Sequence, residues 1–149
     1  MDKTNQIIKR PAVDGDLDLI YHIVKQALGP YVVQTWGKWD EDQQRRRFDE
    51  VTRAQDHEIL LVDGKCVGCL CAKFTDQQCD LARLMILPEF QNQGIGGLVL
   101  REILQEAKDR GVPVKLRVLK VNAAARRFYE RYGFLTTAES EWHFSMEWA

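Results

Sequence analysis

CDLARLMILPEFQNQGIGGLVLREILQEAKDRG, residues 79–111, decides the fold. Its first part, up to Pro88, reads as a strand. A glycine-rich turn then leads directly into Ile95, Leu98, Val99, Ile103 and Ala107, which fall on one helical stripe, and Gly111 is positioned to end that helix. The glycines at 94, 96 and 97 do not make G-x-G-x-x-G, and no Lys-Ser/Thr pair follows them, so neither the dinucleotide fingerprint nor the NTPase phosphate loop is present. What remains is general physics. Glycines let a backbone approach a ligand closely, and a helix N-terminus offers unpaired N–H groups and the positive end of a dipole. Gln93 to Gly97 can therefore wrap a pyrophosphate; a plain glycine turn opening a helix is the alternative.

Working outward, EILLVDGKCVGCLCAKF (58–74) is two apolar runs around Asp63-Gly64, a dipeptide suited to a type I′ hairpin turn. With the strand after residue 79 it makes an antiparallel meander. Before it, IIKR (7–10) reads as a short strand, and Asp14 or Asp16 can cap a helix carrying Leu17, Ile20, Tyr21, Val24 and Leu28. Gly29-Pro30 reads as the end of that helix, and the aromatic-rich stretch from Tyr31 to Trp39 as a link to a second helix that begins near Asp40 and carries QQRRRFDEVTRA. Beyond Gly111, PVKLRVLK (113–120) is a strand, Asn122 can cap the helix AAARRFYERY, Gly133 ends it, and two strands finish the chain. The last, EWHFSMEW (141–148), alternates Trp142, Phe144, Met146 and Trp148 against His143, Ser145 and Glu147.

Composition narrows the function. The chain has 149 residues with 21 Lys plus Arg, 22 Asp plus Glu and a net charge of −1, which suits one domain and argues against nucleic acid or an anionic membrane as partner. No apolar run approaches the roughly 20 residues of a membrane span, and the start lacks the apolar block of a secretory signal, so the expected location is cytoplasmic. Cys66, Cys69 and Cys71 form C-x2-C-x-C with Cys79 nearby, but they sit in one strand-like run, where a zinc site needs the chain to fold around the ion. Structural thiols and no metal are expected. Arg45, Arg46 and Arg47 point about 100° apart on a helix and make no single patch. His57 has no evident partner in the sequence.

Two segments carry a resemblance. Gln91-Asn92-Gln93-Gly94-Ile95-Gly96 looks like the Q/R-x-x-G-x-G/A signature of the GNAT superfamily of acyl-CoA-dependent N-acyltransferases. VNAAARRFYERYGF is similar to that family's N-x-x-A-x-x-x-Y-x-x-x-G-F segment, with Asn122, Ala125, Tyr129, Gly133 and Phe134 in register. The element order matches from about residue 5 to the end. The resemblance implies a single domain over 5–149 with an α/β fold. Its sheet is mixed and mostly antiparallel, of about seven strands flanked by about four helices, and it splays between the fourth and fifth strands.

The resemblance also implies roles. Main-chain groups of Leu84, Met85 and Ile86 would contact the pantetheine and acetyl group of acetyl-CoA, one N–H acting as oxyanion stabiliser. Gln91, Asn92, Gln93, Gly94, Ile95, Gly96 and Gly97 would hold the pyrophosphate, and Asn122 would contact the pantetheine side. Tyr129 matches the general acid that protonates the departing thiolate, a packed helix residue being the bland alternative. A glutamate that many members carry five residues before the motif asparagine is here Arg117. Another branch places a base four residues before the first CoA contact, which is Asp80; proton removal through water is the alternative. Arg117 can recognise an acidic group on the acceptor or simply be solvated. Tyr31, Trp36, Trp39 and His143 are nominated for the acceptor pocket, against a plain core role for the aromatics.

The function implied is acetyl transfer from acetyl-CoA to a primary amine of a small molecule, without an acyl-enzyme and without metal. A protein lysine or N-terminal amine is the second acceptor class, and a CoA-binding module without turnover is the third reading. The apolar last strand is a candidate edge, and family members are often dimers, which makes a homodimer an option.

Overall fold

Asp63 and Gly64 both adopt positive φ, 52° and 78°, as a type I′ turn requires, and they close a hairpin between Glu58–Val62 and Lys65–Phe74. This computed structural model describes residues 6–149. In chain order its elements are β1 (Ile7–Pro11), α1 (Leu17–Trp36), α2 (Glu41–Val51), β2 (Glu58–Val62), β3 (Lys65–Phe74), β4 (Cys79–Ile86), α3 (Ile95–Arg110), β5 (Val114–Leu119), α4 (Ala123–Arg131), β6 (Leu135–Glu139) and β7 (His143–Trp148). The strands form one sheet in the order β1-β2-β3-β4-β5-β7-β6, the mixed α/β architecture expected from the sequence. Two compact units divide the chain: the residues up to Cys71 with Arg83–Leu100, and Ala72–Ala82 with Arg101–Ala149.

In the first unit β1 pairs antiparallel with β2, and β2 with β3, the latter with a register shift at Leu60/Leu61. The core gathers Ile20, Ile23, Ile59 and Cys69, all fully buried, around Tyr21 and Phe48. Helix α1 departs from the sequence reading. It runs through Gly29-Pro30 to Trp36, and the stop is Gly37, whose φ of 90° lets its N–H bond to the Val33 carbonyl at 2.8 Å. Gly29 is buried inside the helix, where a Cβ would make only ordinary contact with the Trp39 ring at 3.7 Å, and it does not terminate the chain's helical run. Asp16 does not cap α1: its carboxylate accepts from the Val13 N–H and pairs with Arg10 at 2.9 Å. Asp40 does cap α2, its side chain accepting from the Gln43 N–H at 3.1 Å. That helix ends at Val51, earlier than the pattern suggests, and Ala54–Asp56 form a 3-10 turn.

In the second unit β4 starts parallel to β5, with Cys79 opposite Val114 and Asp80 opposite Lys115. The ladder stops there although β5 continues to Leu119, which is the splay that the resemblance implies. From Val114 to Leu119, β5 pairs antiparallel with β7, and β6 lies outermost. The last strand is therefore interior, contrary to its reading as an edge, and its Met146 is 1% exposed. The outer strand is β6, every residue of which is exposed. Gly111 and Gly133 end their helices at φ 68° and 94° as expected.

All four cysteines are free. Burial pushes the Cys69 thiol up to about 12, so it behaves as a small hydrophobe. Among the described residues no three metal-ligating side chains converge, and no helix is long and apolar enough to cross a membrane.

Candidate functional site

The glycine turn forms the head of α3. Asn92 and Gly94 take positive φ, 63° and 83°, so the chain reverses sharply before the helix. The first intrahelical bond runs from the Leu98 N–H to the Gly94 carbonyl at 3.1 Å, which leaves the N–H groups of Ile95, Gly96 and Gly97 as the unpaired first donors of the helix. Ile95 is buried and anchors the turn, while Gln91, Asn92, Gln93 and Gly94 are exposed. Two of the nominated polar side chains serve the loop itself: Gln91 Nε2 donates to the Ile86 carbonyl at 2.9 Å, and Gln93 Nε2 to that of Glu89 at 3.4 Å. The first of these ties the loop to the end of β4. Chemically the turn is an anion seat built from backbone.

Leu84, Met85 and Ile86 are part-buried, and their path is set from behind by Gly68 of β3. The next residue, Leu87, donates its N–H to the Val67 carbonyl at 2.8 Å.

The second unit holds the other nominated residues. Asn122 caps α4, its side-chain oxygen accepting from the Ala125 N–H at 3.1 Å, which leaves the amide nitrogen available to donate elsewhere. Tyr129 is buried, edge-on to Phe128 at 5.1 Å and Phe134 at 5.3 Å between ring centres. Burial raises its phenol above the ordinary value, so it stays protonated at neutral pH. Among the described residues no hydrogen bond to its hydroxyl is formed, and its contacts are with the flanking aromatic rings.

Directly opposed residues on neighbouring strands point to the same side, so the β4–β5 and β5–β7 registers place Asp80, Lys115, Arg117, Ser145, His143 and Glu147 on one face. Three residues nominated separately, Asp80, Arg117 and His143, thus share a surface. Asp80 accepts from Gln78 Nε2 at 2.6 Å. Burial, and then the Arg117 guanidinium, hold the His143 imidazole below its usual range, which favours its neutral form.

Of the nominated aromatics, Trp39 is committed to structure: its indole N–H lies 2.9 Å from Glu41 Oε2 and 3.3 Å from the Tyr21 hydroxyl, and its ring packs on the core. Tyr31 lies within α1, its carbonyl accepting from the Thr35 hydroxyl. Trp36, 47% exposed, lines a cleft of about 280 Å³ with Val32, Lys38, Asp40, Gln43, Gln44 and Arg47.

The sequence reading misses one cluster in the first unit. Arg83 Nη1 lies 2.9 Å from His57 Nε2, and His57 Nδ1 lies 2.8 Å from the Arg53 carbonyl. An arginine only donates, so His57 is the neutral tautomer with its proton on Nδ1. Thr52 Oγ1 lies 3.4 Å from Nη1, and the Phe48 ring centre 5.4 Å from the guanidinium carbon. The signal was the phase of LARLM, which puts Arg83 on the same side of the strand as Leu81 and Met85.

The chain is similar to several N-acetyltransferases. An uncharacterized N-acetyltransferase of Bacillus subtilis (strain 168) is 27% identical over 95 residues, 63% of this chain and 66% of that protein. The chain thus spans just under two thirds of that curated relative. The crystal structure of the PaiA N-acetyltransferase from Thermoplasma acidophilum in complex with coenzyme A superposes with a TM-score of 0.75 at 20% identity, covering 95% of this chain and 97% of that one. The ribosomal-protein-S18-alanine N-acetyltransferase from Escherichia coli gives 0.68 at 21% identity, covering 95% and 92%. The model of the acetyltransferase (GNAT) family matches residues 20–134, from α1 past the end of α4, and the chain belongs to that family.

Proposed function

We propose that this chain is an N-acetyltransferase that moves the acetyl group of acetyl-CoA directly onto a primary amine of a small-molecule acceptor, residues 5–149 acting as one domain. The observation that carries this reading is the head of α3, where left-handed Asn92 and Gly94 present unpaired helix donors as a seat for the pyrophosphate. Gln91 through Gly97 hold that group, the main chain of Leu84, Met85 and Ile86 receives the pantetheine and thioester, and the free Asn122 amide donates to the pantetheine side.

The amine attacks the thioester carbonyl carbon; as the C–N bond forms and the C–S bond breaks, the nitrogen, cationic on attack, gives its second proton to water. Tyr129, kept protonated by burial, gives its proton to the departing sulfur and recovers one from solvent. An alkylamine with a pKa of ~10.4 must first lose a proton, and Asp80, on the polar face with Arg117 and His143, takes it directly or through water. Arg117, His143, Trp36 and Trp39 are assigned to the acceptor side. Four free thiols fit a reducing cytoplasm.

The test follows thiol release from acetyl-CoA across amines, amino acids, polyamines and lysine or N-terminal peptides. Turnover on small amines that collapses in Tyr129→Phe supports the reading. Turnover confined to peptides moves the acceptor to protein. Calorimetric acetyl-CoA binding with no turnover on any amine makes the chain a binding module, and no acetyl-CoA binding removes the proposal.

A further inference from the structure

We propose that Arg83 is the receptor for a carboxylate on the acceptor, which makes the substrate class amines that carry an acid group, amino-acid-like and not polyamine-like. The proposal rests on the acyltransfer reading above and deepens it.

Arg83 is a largely buried cation whose neighbours are all neutral. Its partners are the unprotonated Nε2 of His57, the hydroxyl of Thr52 and the face of Phe48. Among the described residues no carboxylate acts on it; the titratable groups it feels are the thiols of Cys69 and Cys71. Removing a guanidinium from water without a counter-ion is costly, and proteins ordinarily offset that cost with an acidic side chain. Here the anion is left to be supplied by something that binds.

The side chain is also held ready. His57 is fixed by its own bond to the Arg53 carbonyl at 2.8 Å, Thr52 Oγ1 lies 3.4 and 3.5 Å from the two terminal nitrogens, and the Phe48 ring lies against the guanidinium. A guanidinium has five N–H donors, and these contacts leave Nε and part of Nη2 unspent. An immobilised guanidinium with donors to spare is what bidentate carboxylate recognition needs. Its place fits the chemistry, because Arg83 immediately precedes Leu84, Met85 and Ile86, the stretch whose main chain is assigned the thioester.

The experiment measures kcat/KM for thiol release with amino acids and with their carboxamides, and compares the ratio between wild type and variant so that the lower amine pKa of the amide cancels. The wild type is expected to prefer the acid roughly tenfold or more, the size of a charge-assisted hydrogen bond. Arg83→Gln, which keeps a donor toward His57 but loses the charge, is expected to bring that ratio toward one, and Arg83→Lys to restore part of it. A purely structural arginine would lower both substrates alike and leave the ratio in place. A wild-type ratio near one, or a ratio that follows Arg117→Gln instead of Arg83→Gln, overturns the proposal. Calorimetric titration of N-acetyl amino acids against their amides, into wild-type protein saturated with CoA, reads the same preference without turnover. It decides the matter if Arg83→Gln does not fold, and it separates failure of this inference from failure of the acyltransfer reading, which acetyl-CoA binding and thiol release test by themselves.

Discussion

A side chain on Gly68 would run into the carbonyl oxygen of Met85, with the Cα of Ile86 only 3.1 Å away. The glycine in the middle of β3 is therefore what allows β4 to lie where it does, and β4 at that point is the stretch assigned to the thioester. Gly68→Ala forces backbone to move, because the obstacle is main chain and not the end of a flexible side chain. It is expected to cost about 3 kcal/mol, the upper end of overpacking penalties, and to weaken acetyl-CoA binding. Urea denaturation with calorimetry on the same sample checks both; an alanine variant as stable as the wild type would show that β4 yields freely.

Tyr129→Phe removes an oxygen that has no protein partner among the described residues, so the thermal midpoint should scarcely change while kcat falls roughly 10²- to 10⁴-fold, the range of a lost general acid. Because burial raises the phenol's pKa, no loss of rate from its ionisation is expected up to about pH 10. A descending limb in kcat near neutral pH that disappears in the phenylalanine variant would contradict the burial argument.

What was legible in the sequence was whatever local chemistry forces. Asp63-Gly64, Gly111, Gly133 and the Asn122 cap all sit where the backbone conformation demands those residue types. Gly29-Pro30 misled because both residues also occur inside a helix, and the stop is set by the left-handed backbone of Gly37. The interior place of β7 depends on which strand the chain returns to, a non-local choice that alternation cannot encode. Asp80, Arg117 and His143 were each nominated, yet only the strand registers put them on one face. His57 and Arg83 were invisible because each, taken alone, is an ordinary polar residue; their meaning lies in a 2.9 Å contact across 26 residues of chain.

His143 provides a titration that separates burial from charge. Its folded-state pKa lies below the ordinary 6.5, with burial the larger cause and Arg117 the smaller. As pH falls past 6.5 the unfolded chain takes up a proton that the folded chain resists, so this group's stabilisation is complete above 6.5 and is lost as pH drops through the folded midpoint. Arg117→Ala should raise the midpoint followed by imidazole NMR, but not back to 6.5, since the burial remains. Full recovery of the ordinary value would mean that charge, and not burial, dominates.

Asn122 combines two roles that one substitution can separate. Its oxygen accepts from the Ala125 N–H and starts the helix that carries Tyr129, while its amide nitrogen is the group assigned to acetyl-CoA. Asn122→Ala loses both and should cost about 1 kcal/mol of stability together with affinity. Asn122→Asp keeps an equally good cap, favoured by the positive end of the helix, but has no donor and adds a negative charge. It should therefore melt like the wild type and bind acetyl-CoA more weakly. If the aspartate variant instead binds acetyl-CoA with unchanged affinity, the side chain of Asn122 is a cap and nothing more.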